Sequence, residues 1–435
     1  MVLPALSLLL LSGSGLSAQT NARAPKAAAS NPTDDVIRFY EWRVARDPDD
    51  YFNYDKLGVA YVGKGRETGD AAYYELAEKA LRKSLELEST HREAVSATAH
   101  LASVFFAEHR FQEALEYARK SLTFNTGDLS PHATIGDALL ESGDYEEAAR
   151  EYAKLDEPEG APRPGIAYLR ETRSSNLQFL KGNTQESIRH MRNAVRIAND
   201  AHMAVETIAW TQFTLGEECF QAGDLKCSDE ANQDALRTYP GYHRALAGLA
   251  RVRAAQERFP EAIDLYQKAL AVIPLPLYAA SLGDIYESLG RHDEAERQYD
   301  LVQVIGYLNA LNKSLYNREF ALFYADHDIK LSEALALSRK ELELRHDVYT
   351  WDCLAWTLFK NGMSSEAADA MGHALSQGTV DALMFFHAGM IHESLGDTIK
   401  ATQFLERALA TNPQFHVSYA LLAARSLARL QVGVR

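Results

Sequence analysis

The chain has 435 residues, 46% hydrophobic and 24% charged, with 25 glycines, 13 prolines and 3 cysteines. That composition excludes a disordered, collagen-like or disulfide-framework protein and allows a sizeable core. Sixty Asp and Glu against 45 Lys and Arg give a formal net charge of −15, which argues against a surface that tracks nucleic-acid phosphates or docks on anionic lipid and fits a basic or neutral partner better.

The first segment reads as a targeting signal. Residues 2–11 (VLPALSLLLL) are apolar and are followed by the small-residue stretch Ser12 to Ala18, the shape of a secretory signal peptide over residues 1–18. Cleavage is expected after Ala18, giving an exported chain, periplasmic or secreted. The apolar run is shorter than the roughly 20 residues a membrane span needs, so no stable insertion is expected after cleavage. No Lys or Arg precedes the run, which leaves an uncleaved or cytoplasmic form open. Residues 19–33 are polar and Ala-rich, a flexible linker by composition. Residues 34–47 (DDVIRFYEWRVARD) form an amphipathic capping helix, with Thr33 as its candidate N-cap.

From residue 48 to 413 one pattern recurs: an apolar residue then a small one, a large residue three further on, a Gly-Asp-like turn, and a small residue about twelve after the first. Clear copies are IGDALLESGDYEEAAREY from Ile135, LGEECFQAGDLKCSDEAN from Leu215, LGDIYESLGRHDEAERQY from Leu282 and AGMIHESLGDTIKATQFL from Ala388. The second small residues are Ala77, Ala114, Ala148, Ser187, Ser228, Ala262, Ala295, Ala334, Ala367 and Ala401, spaced 33 to 41 apart. Ten copies at this period predict stacked helical hairpins. Small residues such as Gly58, Gly136, Gly216, Gly283 and Gly389 let the paired helices approach. Tyr61, Phe105, Leu139 and Tyr286 fill the space between successive hairpins, and Pro240, Pro274 and Pro413 end second helices. A last helix over 414–435 is expected to close the stack, since one hairpin cannot bury its own apolar face.

These residues resemble the tetratricopeptide repeat family. Trp351, Leu354, Ala355, Leu358, Ala367, Met371 and Ala374 stand at that family's marked places, as do Gly216, Asn232, Ala235, Leu236 and Pro240. The resemblance implies an all-α, right-handed superhelical solenoid of about ten hairpins with capping helices at both ends. It also implies a non-catalytic, protein-interaction role, because function in this family lives in the surface and not in the fold. Departures are Ser174-Ser175 in the fourth unit where Leu-Gly is expected, and about seven extra residues within GKGRETGDAAYY in the first. The long gaps to Ser187 and Ser228 predict longer helices or loops.

No catalytic or cofactor motif is present. The nearest phosphate-loop match, Gly58 to Gly65, lacks the closing Ser or Thr and falls on a repeat helix. His387 and His392 lie five apart, which points their rings about 140° apart on a helix, a poor metal arrangement. Asp326-His327-Asp328 reads as capping and solvation at a helix boundary. No metal and no cofactor are therefore expected. Cys219 and Cys227, eight apart across Gly223-Asp224, are either a bridge between the two helices of one hairpin or two small buried thiols. Cys353 is unpaired in either case.

The family's groove positions place an aromatic stripe on the last three units: Tyr316, Phe320, Phe323, Tyr349, Trp356, Phe359, Phe386, His387 and Met390. The same positions give Arg244 and Arg251 in the sixth unit and Asp137, Glu141, Asp284 and Glu287 in the third and seventh. Aromatic side chains with few soft torsions are good anchors for a peptide or helix, so the expected partner is a protein segment held in the groove. The alternatives are that these rings pack between hairpins or lie under the final helix. Lys56 and Asn176 are too far apart in the array to form a carboxylate clamp. Two other readings stay open: a small-molecule or metal-binding accessory protein using the C-terminal His and aromatic residues, and a structural solenoid that self-associates.

Overall fold

The computed structural model describes residues 32–88, 94–156, 163–311 and 317–433. The expected signal peptide and most of the expected linker lie outside the described residues. Among the described residues all the regular structure is α-helix. Helix α1 is Pro32–Arg46, and ten hairpins follow. The first five are α2 (Tyr51–Thr68) with α3 (Ala72–Leu87), α4 (Ala94–Ala107) with α5 (Phe111–Phe124), α6 (Ser130–Glu141) with α7 (Tyr145–Ala153), α8 (Pro164–Leu180) with α9 (Thr184–Asp200), and α10 (Val205–Gln221) with α11 (Leu225–Thr238). The rest are α12 (His243–Ala255) with α13 (Phe259–Val272), α14 (Pro276–Ser288) with α15 (His292–Leu311), α16 (Asn317–Asp326) with α17 (Leu331–Leu342), α18 (Val348–Lys360) with α19 (Ser364–Ala374), and α20 (Ala382–Ser394) with α21 (Thr398–Thr411). Helix α22, Tyr419–Gly433, comes last.

The repeat positions do what their size requires. All ten second-helix small residues, Ala77 through Ala401, are buried to 1% exposure or less. Across from them the first-helix glycines sit against large side chains: a Cβ on Gly136 would lie 2.3 Å from the Tyr152 ring, and one on Gly389 2.7 Å from Leu405. The fourth unit replaces this glycine with Ser175, whose hydroxyl donates to the Ser187 carbonyl at 2.7 Å, so a hydrogen bond takes the place of bare proximity. The residues before Pro240, Pro274 and Pro413, namely Tyr239, Ile273 and Asn412, are extended and close α11, α13 and α21. A residue preceding proline is sterically pushed out of the helical region. Aspartates Asp50, Asp224, Asp347, Asp381 and Asp397 accept backbone N–H bonds at helix starts, satisfying donors that the helix leaves open.

Extra residues lengthen helices. The insertion in the first unit extends α2 to 18 residues, and α8, α9 and α10 have 17 each. The N-terminal cap begins at Pro32 and not Asp34, and Thr33 is not its cap: the Thr33 hydroxyl donates to Glu67 on α2. The C-terminal helix begins at Tyr419 and not at Phe415, because residues 412–418 do something else.

By contacts the chain divides into two compact bodies, where a single array was expected. The larger takes in Leu140–Ala149 and Arg170–Arg435, and the smaller takes in Arg150–Leu169 and the residues up to Leu139. In the smaller body Arg110 joins Glu78 and Glu113 (2.7 and 2.6 Å) and Asp55 meets His100 at 2.7 Å. Within the larger body the chain returns on itself. The turn of the third unit meets the join after the eighth: His346 N–H donates to the Glu141 carbonyl at 2.8 Å and the Tyr145 hydroxyl accepts from Val348 N–H at 2.8 Å. The turn of the fourth meets the join after the ninth, where the Thr379 hydroxyl donates to the Leu180 carbonyl at 2.7 Å. The turn of the fifth meets the join after the tenth, where the Asn412 amide donates to the Phe220 carbonyl at 2.7 Å. Gly143, Gly182 and Gly223 have positive φ in these turns, and an added Cβ would lie 2.9, 2.4 and 2.8 Å from the carbonyl oxygens of His346, Gly378 and Thr411. Turns that meet nothing, as at Gly290 and Gly362, have open space there.

Candidate interaction site

The first helices α16, α18 and α20 carry the aromatic stripe, and of the two readings open for it, exposed anchors or packed rings, the structure has the packed one. Phe320, Phe323, Tyr349, Trp356, Phe386 and His387 are buried, and Phe359 and Met390 are half-buried. Tyr316 lies outside the described residues. The rings pack on one another: Trp356 stacks on His387 at 4.1 Å between ring centroids and on Phe359 at 5.1 Å. Phe320 and Phe323 join a cluster with Val302 and Ile305 of α15. Each of these rings has too much apolar area to be left in water when neighbours are within reach.

Part of the cover over the stripe is the chain's own segment 412–419, which runs back from the end of α21. Phe415 packs on Phe386 with centroids 5.8 Å apart, and Tyr419 stacks on Phe386 at 4.7 Å and meets Trp356 edge-on at 5.9 Å. Val417 packs on the cluster built from Tyr278, Leu282 and Tyr286. Two carboxylates fix the polar ends. The Tyr419 hydroxyl donates to Asp326 Oδ1 at 2.7 Å, an oxygen that also accepts from Trp356 Nε1 at 2.7 Å. His416 Nε2 lies 3.5 Å from Asp284 Oδ2. Its Nδ1 accepts from the N–H groups of Ser418 and Tyr419, which makes Nε2 the protonated nitrogen and the donor.

Asp284 is the electrostatic centre of this surface. Its Oδ1 accepts from the Tyr299 hydroxyl at 3.0 Å and from His327 Nε2 at 2.9 Å. Burial pushes its carboxyl up, but hydrogen bonds from His327 and His416, with the charge on His327, outweigh that and hold it well below the usual carboxylate range. Burial lowers the His327 pKa, yet bonding to Asp284 and to the Phe323 carbonyl leaves it raised overall. Similar acid-to-neighbour pairs recur between first helices: Glu217 with Arg251 at 2.5 Å and Asp352 with His387 at 2.9 Å.

Other candidate residues are distributed differently from a ligand set. Asp326 faces Trp356 and Tyr419, His327 faces Asp284, and Asp328 pairs with Lys360 at 2.6 Å, so the tripeptide ties three neighbours and does not simply cap a helix. His392 stacks on Phe404 while His387 bonds Asp352. No group of three His, Cys, Asp or Glu able to hold a metal occurs among the described residues. Gly58 to Gly65 is inside α2. Cys219 and Cys227 are joined as a disulfide with Cα atoms 5.7 Å apart, and Cys353 is free and buried. Arg251, Glu141 and Asp137 of the expected polar groove pair with Glu217, Arg345 and Tyr152. Sequence reasoning missed the role of Phe415, His416 and Tyr419. The signal was available in FHVSY, an aromatic and polar run poorly suited to start a solvated helix.

No helix among the described residues is long and apolar enough to cross a membrane. Models of the tetratricopeptide repeat match residues 220–279, 278–302 and 382–415. A TPR repeat-containing protein, YpiA, of Bacillus subtilis (strain 168) is 22% identical over 268 residues, 56% of this chain and 62% of the relative, so the chain spans less than two thirds of that protein. Among solved structures, the APC/C hetero-tetramer Cut9-Hcn1 aligns at 13% identity and TM-score 0.34, over 92% of this chain and 93% of that one. Yeast Tom70 aligns at 13% and 0.35, over 93% of each. A tetratricopeptide repeat protein from Parabacteroides merdae aligns at 16% and 0.35, over 61% of this chain and 99% of that one. With ten helix pairs built on the same small-residue positions, and tetratricopeptide-repeat models matching residues 220–302 and 382–415 inside them, the chain is an all-α repeat array that carries tetratricopeptide repeats, which supports a protein-interaction scaffold.

Proposed function

We propose that this protein is an exported scaffold that holds a peptide segment of a partner protein against the first helices of its last hairpins. It is a binding protein and not an enzyme in this reading. The observation that carries the reading is the way α14, α16, α18 and α20 grip a non-helical stretch of turns and bends, residues 412–418, and the Tyr419 that follows it: ring contacts on Trp356 and Phe386, with Asp284 and Asp326 as acceptors at either end. This is the chemistry by which aromatic anchors and a few placed polar groups capture peptides. Export is supported by the apolar run of residues 2–11 and by the Cys219–Cys227 bridge, since such bonds persist in oxidising compartments.

Two measurements test it. A photo-crosslinking residue placed at Met390, half-buried beside the stripe, should join the partner in a native extract, whereas one at Ile399, exposed on α21, should not. A partner joined only from Ile399 refutes the placement. N-terminal sequencing of the protein from its native source should begin at Gln19, and an intact Met1 would refute processing.

A further inference from the structure

The segment 412–419 does more than close the stack. Covering the last hairpin is the work of α22, which lies on α21 and α20. The segment before it reaches back to Asp284, three hairpins earlier in the array. It lies with Pro413, Gln414 and Ser418 exposed and Phe415 buried, as a bound peptide does.

Its polar contacts are also ones that can be given up. When His416 leaves, Asp284 still accepts from Tyr299 and His327, and when Tyr419 leaves, Asp326 still accepts from Trp356. Release therefore strands no buried carboxylate, which is the step that makes breaking most buried ion pairs so costly. The apolar faces of Trp356 and Phe386 are what release would expose, and an incoming aromatic side chain would cover them again. Asn412, bonded to the Phe220 carbonyl, anchors the upstream end.

We propose that Phe415–Tyr419 is a resident ligand of the groove, and that a partner segment with the same order, an aromatic ring, a hydrogen-bond donor beside it and a phenol three residues on, binds by displacing it. The proposal rests on the groove reading above and adds the competitor. Affinity for such a segment is then reduced by the fraction of molecules in which the groove is filled in cis.

The probe is a fluorescent peptide of residues 412–422, NPQFHVSYALL, titrated into the full-length chain and into its His416→Ala/Tyr419→Ala form. The expected result is binding at least tenfold tighter to the double variant. Equal binding to both, or binding to neither, overturns the proposal. Because the double variant could lose its fold, a second measurement uses the unaltered chain: excess peptide should strip hydrogen-exchange protection from the amides of Ser418 to Leu422 and leave α18 protected. Unchanged protection there overturns the proposal as well. A partner joined from Met390 while the peptide fails both tests would sink the resident ligand and leave the groove reading standing. Failure of that crosslink with success of the peptide would do the reverse.

Discussion

Replacing Gly283 by alanine tests whether the repeat's glycine is there for proximity. In an uncrowded helix the change stabilises, by roughly 0.5–1 kcal/mol, because alanine loses less backbone entropy. Here the new Cβ would lie 2.4 Å from Tyr299 Cε1 and 2.8 Å from Cδ1. The ring cannot swing aside freely, since its hydroxyl is bonded to Asp284 and it packs on His327 at 4.3 Å. Overpacking of this kind costs about 1–3 kcal/mol, so the net effect should be a loss of roughly 1–2 kcal/mol. Urea unfolding followed by helicity, with hydrogen exchange on α14 and α15 to localise the loss, measures it. Adding Tyr299→Leu should turn the alanine substitution neutral or favourable, giving a coupling of the same size in a double-mutant cycle. A Gly283→Ala chain more stable than the parent would refute the reasoning.

Glu218 is buried beside Ser175, and burial raises its carboxyl to about 7 against the opposing hydrogen bonds of Ser175 and Ser187. The folded chain keeps this proton while the unfolded chain releases it near pH 4.5, so stability should fall by roughly 3 kcal/mol as pH rises from about 4.5 to about 7. Glu218→Gln should remove that slope, and denaturation curves whose difference from the parent is the same at pH 5 and pH 8 would argue against it. Reduction of Cys219–Cys227, which close a loop with sequence separation 8, should cost about 2.5 kcal/mol by loop entropy, read as a lower urea midpoint in reducing buffer that a Cys219→Ala/Cys227→Ala chain does not show. Thr379→Val leaves the Leu180 carbonyl without the side-chain donor it has now and should cost about 1–2 kcal/mol. Exchange protection should then drop both near residue 180 and near residue 379, and a loss confined to residue 379 would mean the two segments are not coupled.

The hairpin array was legible because its determinants are local and periodic. Ala77 to Ala401 mark every second helix, and the X-Pro steps at Tyr239, Ile273 and Asn412 mark where three of them end. The substitution of Ser175 for glycine was visible as a departure, but its remedy, a hydrogen bond to the Ser187 carbonyl, needs the three-dimensional pairing. The aromatic stripe was located on the right helices, and its burial stood only as an alternative that the spacing could not decide. Burial of Trp356 and Phe386 depends on Phe415 and Tyr419, which a periodic reading assigns to a cap because it carries no information about a segment that leaves the period. Contacts such as Thr379 with Leu180, 199 residues apart, leave no spacing signature at all.

Helical-repeat chains ordinarily tolerate the gain or loss of a unit, since each touches only its neighbours. The three return contacts remove that freedom here. Each turn, at Gly143, Gly182 and Gly223, meets the join that follows the unit five places ahead. Deleting or duplicating any one hairpin from the sixth to the eighth would misalign all three meetings together, pressing a turn against a helix in place of a join. The copy number of that stretch is thereby set by geometry, like the links in a fastened bracelet, and lineages that keep the clasp must keep the count. Variation in the number of hairpins should accordingly fall in the first two units, ahead of the first of these turns.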